Sequence, residues 1–261
     1  MSGRLLIDAQ DLAVHYPVGS GLLRRPRALQ AVEAVSLTLA AGETLGIVGE
    51  SGCGKSTLGR ALLGLTPITR GRVMLEGMDL TALSPRALRA HRRHAQMVFQ
   101  DPLASLDPRM TVGQILAEPM RVHEPAMTTL AVRARALSLL ERVGLGTAAL
   151  DGYPHEFSGG QCQRIGIARA LMLRPRLLVC DEPVSALDVS IQGQIVNLLQ
   201  DLQAEQGLGL VFIAHDLAVV RHISHRIQVM YLGRTVEAGP TAAIFAAPLG
   251  NRYKHVVEYS L

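Results

Sequence analysis

The 261-residue sequence predicts an α/β fold, a mostly parallel sheet covered by helices on both faces. Three observations lead there. The apolar run Thr44-Leu45-Gly46-Ile47-Val48 feeds a glycine loop, Gly49-Glu50-Ser51-Gly52-Cys53-Gly54-Lys55-Ser56-Thr57, and residues 58–65 read as the helix leaving it. A second apolar run, Leu177-Leu178-Val179-Cys180, ends in Asp181-Glu182. From residue 158 onward, strand-like and helix-like segments alternate.

Taken in order, residues 5–16 and 34–39 alternate apolar with polar side chains and read as strands, separated by a turn-rich basic excursion over 17–26. Segments 72–75 and 97–99 are further strand candidates. Ser84 followed by Pro85 marks a helix start, a capping hydroxyl and then a ring whose missing N–H costs nothing in the first turn. Arg86, Arg89, Arg92 and Arg93 then form that helix's solvated face. Between 100 and 157 the pattern turns helical, over 112–117 and over 130–143 with a stripe through Val132, Ala136, Leu139, Leu140 and Val143. It reads as a helical insert between strands of the core. A helix at 165–171, a strand at 177–181, a helix at 191–202, a buried strand at 208–214 and a last sheet segment at 227–236 complete the chain.

Apolar residues make up 48% of the sequence, enough for a sizeable core, and the length suits a single unit with a subdomain. Cys53, Cys162 and Cys180 are odd in number and widely spaced, which indicates neither a disulfide framework nor a zinc site. Met1-Ser2-Gly3-Arg4 leads into alternating residues rather than a signal-peptide core, and no window holds the roughly 18 uninterrupted apolar residues of a membrane span. A soluble chain, or one attached to a membrane only through a partner, is expected. The net charge of +4 is spread along the sequence and aromatics are 3%, so direct nucleic-acid binding is not expected. Only two lysines, Lys55 and Lys254, stand against 24 arginines. A lysine kept inside the glycine loop suggests a site that needs a compact ammonium rather than a planar fork.

Backbone amides approach a triphosphate closely only where side chains are absent, which accounts for Gly49, Gly52 and Gly54; the helix starting near Lys55 adds its positive end. Lys55 is expected to reach the β and γ phosphates and Ser56 to ligate Mg²⁺. Asp181, at a strand end, is placed to hold the far side of that ion, and Glu182 is left free to orient water as general base. Cys53, within the loop, is expected to be sensitive to bulky thiol reagents. Ser158-Gly159-Gly160-Gln161, followed at once by a helix, forms a second anion site about a hundred residues from the first. One chain has no obvious use for two γ-phosphate cradles, whereas two chains placed head to tail do.

With these motifs in this order the sequence resembles an ATP-binding cassette ATPase, the nucleotide-hydrolysing subunit of ABC transporters, over nearly its whole length. The resemblance implies a P-loop nucleotide-triphosphatase cassette: a RecA-like parallel-sheet core over 1–99 and 162–261, an antiparallel β subdomain, and a helical subdomain over 100–161. It implies ATP and Mg²⁺ as ligands. Gln100, in Val98-Phe99-Gln100-Asp101-Pro102, matches the glutamine that senses Mg²⁺ and the attacking water; His215 matches the switch histidine at the γ-phosphate. Ser185-Ala186-Leu187-Asp188 matches the loop that crosses to the partner cassette, and Tyr16 the aromatic that stacks on adenine.

Within that family the chain is similar to the second ATPase of peptide and nickel importers, through His15-Tyr16-Pro17-Val18, the basic excursion after it, Ser105-Leu106-Asp107-Pro108-Arg109, and Asp181-Glu182-Pro183-Val184-Ser185-Ala186-Leu187-Asp188. This implies two membrane permease subunits, a paralogous or identical second ATPase chain, an extracytoplasmic binding protein, and a peripheral place on the cytoplasmic face of the bacterial inner membrane. Position 162 is cysteine where the family usually has arginine. The sequence ends at Leu261 without the Cys-bearing tail of many peptide-importer ATPases, and the motif that usually precedes the tail is altered in Gly250-Asn251-Arg252-Tyr253-Lys254. Shorter forms are typical of nickel and metallophore importers, so peptides and chelated metal both stay open as cargo. The alternatives are a soluble cassette ATPase of iron–sulfur assembly or nucleic-acid work, against which the absence of coiled-coil inserts and of a second cassette counts, and an exporter cassette.

Overall fold

A computed structural model describes residues 5–18, 27–185 and 187–246. Most of the basic excursion (with Arg24, Arg25 and Pro26), Ala186, and the tail motif from Gly250 to Lys254 lie outside the described residues.

The chain begins with two long strands, β1 (Leu5–Val18) and β2 (Arg27–Ala40), paired antiparallel. The sequence pattern of β2 is legible only from residue 34, because Ala34 has φ +54° and the register shifts around it. That irregularity breaks the alternation on which strand recognition depends. β3 (Thr44–Gly49) runs into the glycine loop and α1 (Lys55–Leu62) leaves it. The helix stops short of residue 65, because Gly64 turns the chain at φ +61°. β4 (Arg70–Leu75), β5 (Met78–Asp79) and α2 (Pro85–His91) follow, the last capped by the Ser84 hydroxyl, which accepts from the Ala87 amide.

β6 (Ala95–Val98) leads to the helical stretch: α3 (Pro102–Ser105), α4 (Val112–His123), α5 (Thr129–Arg142) and two short 3₁₀ turns. α4 runs on through Pro119 to His123, beyond the 112–117 expected from the sequence. α6 (Gly159–Leu171) then returns the chain to β7 (Leu177–Asp181), so the expected limit at 161/162 falls within one helix. α7 (Val189–Gln206), β8 (Gly209–Ile213), α8 (Leu217–Ile223), β9 (Arg226–Tyr231), β10 (Arg234–Pro240) and α9 (Thr241–Ala246) complete the described chain. The single last sheet segment expected at 227–236 is in fact this β9–β10 hairpin. Its turn, Leu232-Gly233, has φ +45° and +78°. A leucine in the left-handed position hides the turn from sequence reading, since asparagine or glycine is the usual occupant.

Six strands form one sheet in the order β10-β9-β3-β8-β7-β6, parallel throughout except for β10. β3, β7 and β8 are buried along their whole length, which explains their unbroken apolar runs. A second, antiparallel sheet, β2-β1-β4-β5, packs across α1 through Leu12, Leu39, Leu58 and Leu62. On the other side of the main sheet, Leu116, Leu140, Ile165 and Phe212 join the helical stretch to it. Parallel pairing aligns the carboxyl ends of β3, β8 and β7, with Ile213 opposite both Ile47 and Asp181. Side chains just beyond those ends therefore gather along one edge, the usual place for a ligand in such sheets. Among the described residues, no helix is long and apolar enough to cross a membrane.

Candidate active site

A cleft of about 650 Å³ opens at that edge, lined by the glycine loop, the start of α1 and the first residues after β6, β7 and β8. The three loop glycines are required for different reasons. A Cβ on Gly49 would sit 2.2 Å from the Met230 carbonyl oxygen, and one on Gly54 would sit 2.0 Å from that of Ala31. Gly52 has open space around it and is held only by its φ of +78°. Protein backbone, as well as any ligand, thus dictates two of the glycines that the sequence reading assigned to ligand approach.

Gly54 caps α1 in a left-handed conformation without a side-chain bond, and Leu58 is the first amide to find a helical carbonyl, that of Gly54 at 2.9 Å. The Lys55, Ser56 and Thr57 amides accordingly face out of the helix start, an arrangement suited to an anion. The Lys55 ammonium is buried and donates to the Gly49 and Glu50 carbonyls at 2.7 and 2.9 Å. An ammonium has three N–H donors, so one is left for a ligand.

Ser56 Oγ donates to Asp181 Oδ1 at 2.7 Å. Asp181 is almost fully buried, and desolvation raises its pKa despite the Ser56 hydrogen bond and the charges of Arg60 and Lys55. A hydroxyl and a carboxylate at the phosphate loop are hard oxygen donors of the kind Mg²⁺ takes alongside phosphate and water. Among the described residues, no group of three His, Cys, Asp or Glu side chains is placed to hold a metal ion.

Glu182 lies next to Asp181 but points along the cleft. Its carboxylate accepts from Gln100 Nε2 at 3.0 Å and stands 3.4 Å from His215 Nδ1. Its backbone is strained at φ +47°, held by a hydrogen bond from its own amide N–H to the Ile213 carbonyl at 2.9 Å. A bulky residue kept in the left-handed region costs roughly 1–2 kcal/mol. That cost sets the carboxylate between Gln100 and His215, residues from three separate loops. Tyr16 stands at the mouth of the cleft, 38% exposed. Leu29 and Ala31 line the wall beside it. Sequence reasoning missed these two because the first half of β2 carried no legible strand pattern.

Some expected site residues lie elsewhere. Ser158, Gly159, Gly160 and Gln161 do not line this cleft. They form the capped start of α6, where the Ser158 hydroxyl accepts from the Gln161 amide at 3.3 Å and the Gln161 side-chain oxygen accepts from the Ser158 amide at 2.9 Å. Asp188 precedes α7 at the surface, its side chain making no cap. Glu50 is exposed on the loop outside the cleft, whereas its neighbour Ser51, also exposed, lines it.

The ABC transporter family matches this chain over residues 32–185. The chain belongs to the ABC transporter family. It is 56% identical over 249 residues to the oligopeptide transport ATP-binding protein OppF of Escherichia coli K12, covering 94% of this chain and 75% of the relative. The glutathione import ATP-binding protein GsiA of Escherichia coli O157:H7 is 54% identical over 249 residues, 95% of this chain and 40% of that protein. A dimeric post-hydrolysis structure of the ATP-binding cassette MJ0796 bound to ADP and Pi superposes with TM-score 0.81 at 29% identity, covering 90% of this chain and 98% of that one. As a cassette of this family the protein binds ATP and hydrolyses it.

Two consequences of the cassette's geometry are measurable without any partner. Asp181→Asn keeps an acceptor for Ser56 and removes a buried charge. Because the folded pKa is raised, ionising Asp181 destabilises the fold as pH climbs from the ordinary carboxylate range through the raised value, and the loss persists above it. At neutral pH the nucleotide-free variant should therefore melt about 2–4 °C higher, a gain of about 1 kcal/mol that vanishes in acid. Calorimetry showing a lower Tm at neutral pH would mean that the carboxylate stabilises the apoprotein.

The second concerns thiols. Cys53 packs its side chain into the core with Leu58 and Met230 rather than into the cleft; its amide donates to the Glu50 carbonyl, and burial raises its pKa. Cys162 and Cys180 are buried as well. The native cassette should show no fast-reacting thiol in an Ellman titration and three after denaturation. Rapid native labelling of Cys53 would place its sulfur on the nucleotide side, as the sequence had suggested.

Proposed function

We propose that this cassette energises a membrane importer of oligopeptides. The supporting observation is the 55–56% identity, over 94% of the chain, to proteins named for oligopeptide transport. The GsiA relatives are named for import of glutathione, itself a tripeptide, so peptide cargo has support from the relatives described above that chelated nickel or a metallophore lacks.

In the proposed cycle, ATP lies with its adenine against Tyr16 and its phosphates along the amides of residues 49–57, Lys55 meeting the β and γ groups. Ser56, Asp181 and the Gln100 carbonyl would hold Mg²⁺, which when bound neutralises phosphate charge. Glu182 accepts the proton of the attacking water as its oxygen bonds to the γ phosphorus and ADP departs. Gln100 and His215 fix the Glu182 carboxylate and stand where the water and the γ-phosphate meet it. The exposed start of α6 in a second cassette, Ser158 to Gln161, closes over the γ-phosphate, with Asp188 crossing at the same seam. Its absence from this chain's own cleft supports closure by a second chain. Whether that second chain is identical or a paralogue, two of them clamp two ATP molecules, a two-state interface whose closed form ATP favours.

Two permease subunits, an extracytoplasmic binding protein and a peripheral place on the cytoplasmic face of the inner membrane complete the proposal. Supporting it, a groove of about 280 Å³ beside β6 and α4 is lined by Leu65, Met97, Phe99, Val122 and Leu173 and by the charged Glu118 and Arg169. A short amphipathic helix of a membrane subunit fits such a surface, and residues 100–161 would move with it. The test is reconstitution: the cassette co-purified with its membrane subunits in vesicles should hydrolyse ATP faster when a peptide-loaded binding protein is added, and should accumulate peptide. Failure to associate with any membrane subunit, or ATPase activity indifferent to loaded binding protein, would remove the importer assignment.

A further inference from the structure

At the opposite edge of the main sheet, near the amino end of β7, the carboxyl ends of α5 and α7 and the turn after α6 enclose a cleft of about 550 Å³. Four arginines line it, Arg135, Arg142, Arg174 and Arg176, against a single lining carboxylate, Glu205. Glu205 is already ion-paired to Arg142. Glu124, whose charge also reaches Arg135, is ion-paired to Arg93. Arg135 is half-buried, and its one hydrogen bond among the described residues is to the Leu171 carbonyl at a long 3.5 Å. Desolvation and the neighbouring charge of Arg174 both disfavour its cationic form. A guanidinium carries five N–H donors, so most of this fork is unused.

Arg174 adds an independent observation. It occupies a left-handed backbone position, φ +48°, in the turn that follows α6, where its amide donates to the Leu171 carbonyl at 3.0 Å. Glycine is the ordinary residue for that conformation at a helix end. An arginine retained there bears backbone strain and places a fourth cation at a cleft already short of anions. The Leu171 carbonyl accounts for one guanidinium N–H of Arg135 and for the backbone amide of Arg174, but for the guanidinium of neither Arg174 nor Arg176.

The geometry points to a binding site for a phosphate-bearing anion in this cleft, separate from the ATP site. Guanidinium forks lining one cleft match the several oxygens of a phosphoryl group, and a multiply charged phosphate offsets the mutual repulsion of Arg135 and Arg174. The source is a soluble phosphate ester or the headgroup of an anionic lipid. A ligand held there ties α5, in the helical stretch, to α7, which flanks the core sheet.

Calorimetric titration of the cassette with pyrophosphate, ADP and Mg²⁺ kept saturating so that the ATP site is filled, tests the assignment. A parallel arm sediments the protein with phosphatidylglycerol vesicles. Saturable binding to wild type in either arm is expected, weakened at least tenfold by Arg135→Gln and by Arg174→Gln, with ATPase activity in the absence of the anion unchanged. The arm that responds identifies the source. Arg174 is exposed, so its variant folds even if Arg135→Gln disturbs the Leu171 contact. Absence of saturable binding in both arms, or equal affinity in wild type and Arg174→Gln, overturns the site.

Discussion

Glu182→Gln is expected to lower ATP turnover by about 10³-fold while leaving ATP affinity nearly intact. The substitution keeps the size and the polar contacts of the side chain, so the 3.0 Å neighbour Gln100 stays in place, but an amide cannot take the proton of water. If closure precedes hydrolysis, the variant should also trap closed dimers in the presence of MgATP. Single-turnover kinetics and size-exclusion chromatography read the two effects separately. Turnover within a factor of a few of wild type would take the proton-accepting role away from Glu182 and leave its strained backbone without a functional account.

Gly159→Asp addresses the proposed seam. A Cβ at Gly159 meets no atom within 4 Å, and the residue is exposed in the first turn of α6, so the chain tolerates the change. A carboxylate there is favourable to the isolated helix by about 0.3–1 kcal/mol, since it sits at the positive end of the helix. It would meanwhile occupy the amides proposed to close on another chain's γ-phosphate and repel that phosphate. Hydrolysis should therefore fall by at least about 10²-fold, with melting temperature equal or higher and ATP affinity of the single cassette unchanged. In that combination, loss of activity without loss of stability or binding can come only from the partner side. Normal hydrolysis by Gly159→Asp would exclude the α6 start from the ATP-bound interface.

Much of the site was legible from sequence because its parts are local. The order strand, glycine loop, helix gives the loop, and an apolar run ending in two acids places Asp181 and Glu182 at a strand end. What escaped was non-local or conformational. Leu29 and Ala31 enter the cleft because β2 pairs with β1, in a stretch whose alternation is broken by the kink at Ala34. The β9–β10 turn was hidden by a leucine in a glycine-like conformation, and the Cys53 side chain, inside the loop in sequence, turned into the core in space.

The glutamine and histidine beside Glu182 illustrate the division. Nothing in the spacing of Gln100, Glu182 and His215 says that they meet; family resemblance suggested their roles, and strand pairing brings them together. β6, β7 and β8 lie side by side in parallel, so the residues just past each strand reach the same edge. By itself the sequence determined the α/β class, the phosphate loop and the acid pair, since hydrophobic period and short motifs act over a few residues. The folded chain added the contacts themselves: the Ser56–Asp181 hydrogen bond, the approach of Gln100 and His215 to Glu182, and the position of Leu29 and Ala31 in the cleft wall. Those outcomes depend on distances between segments far apart in the chain, which packing of the sheet fixes and no local pattern encodes.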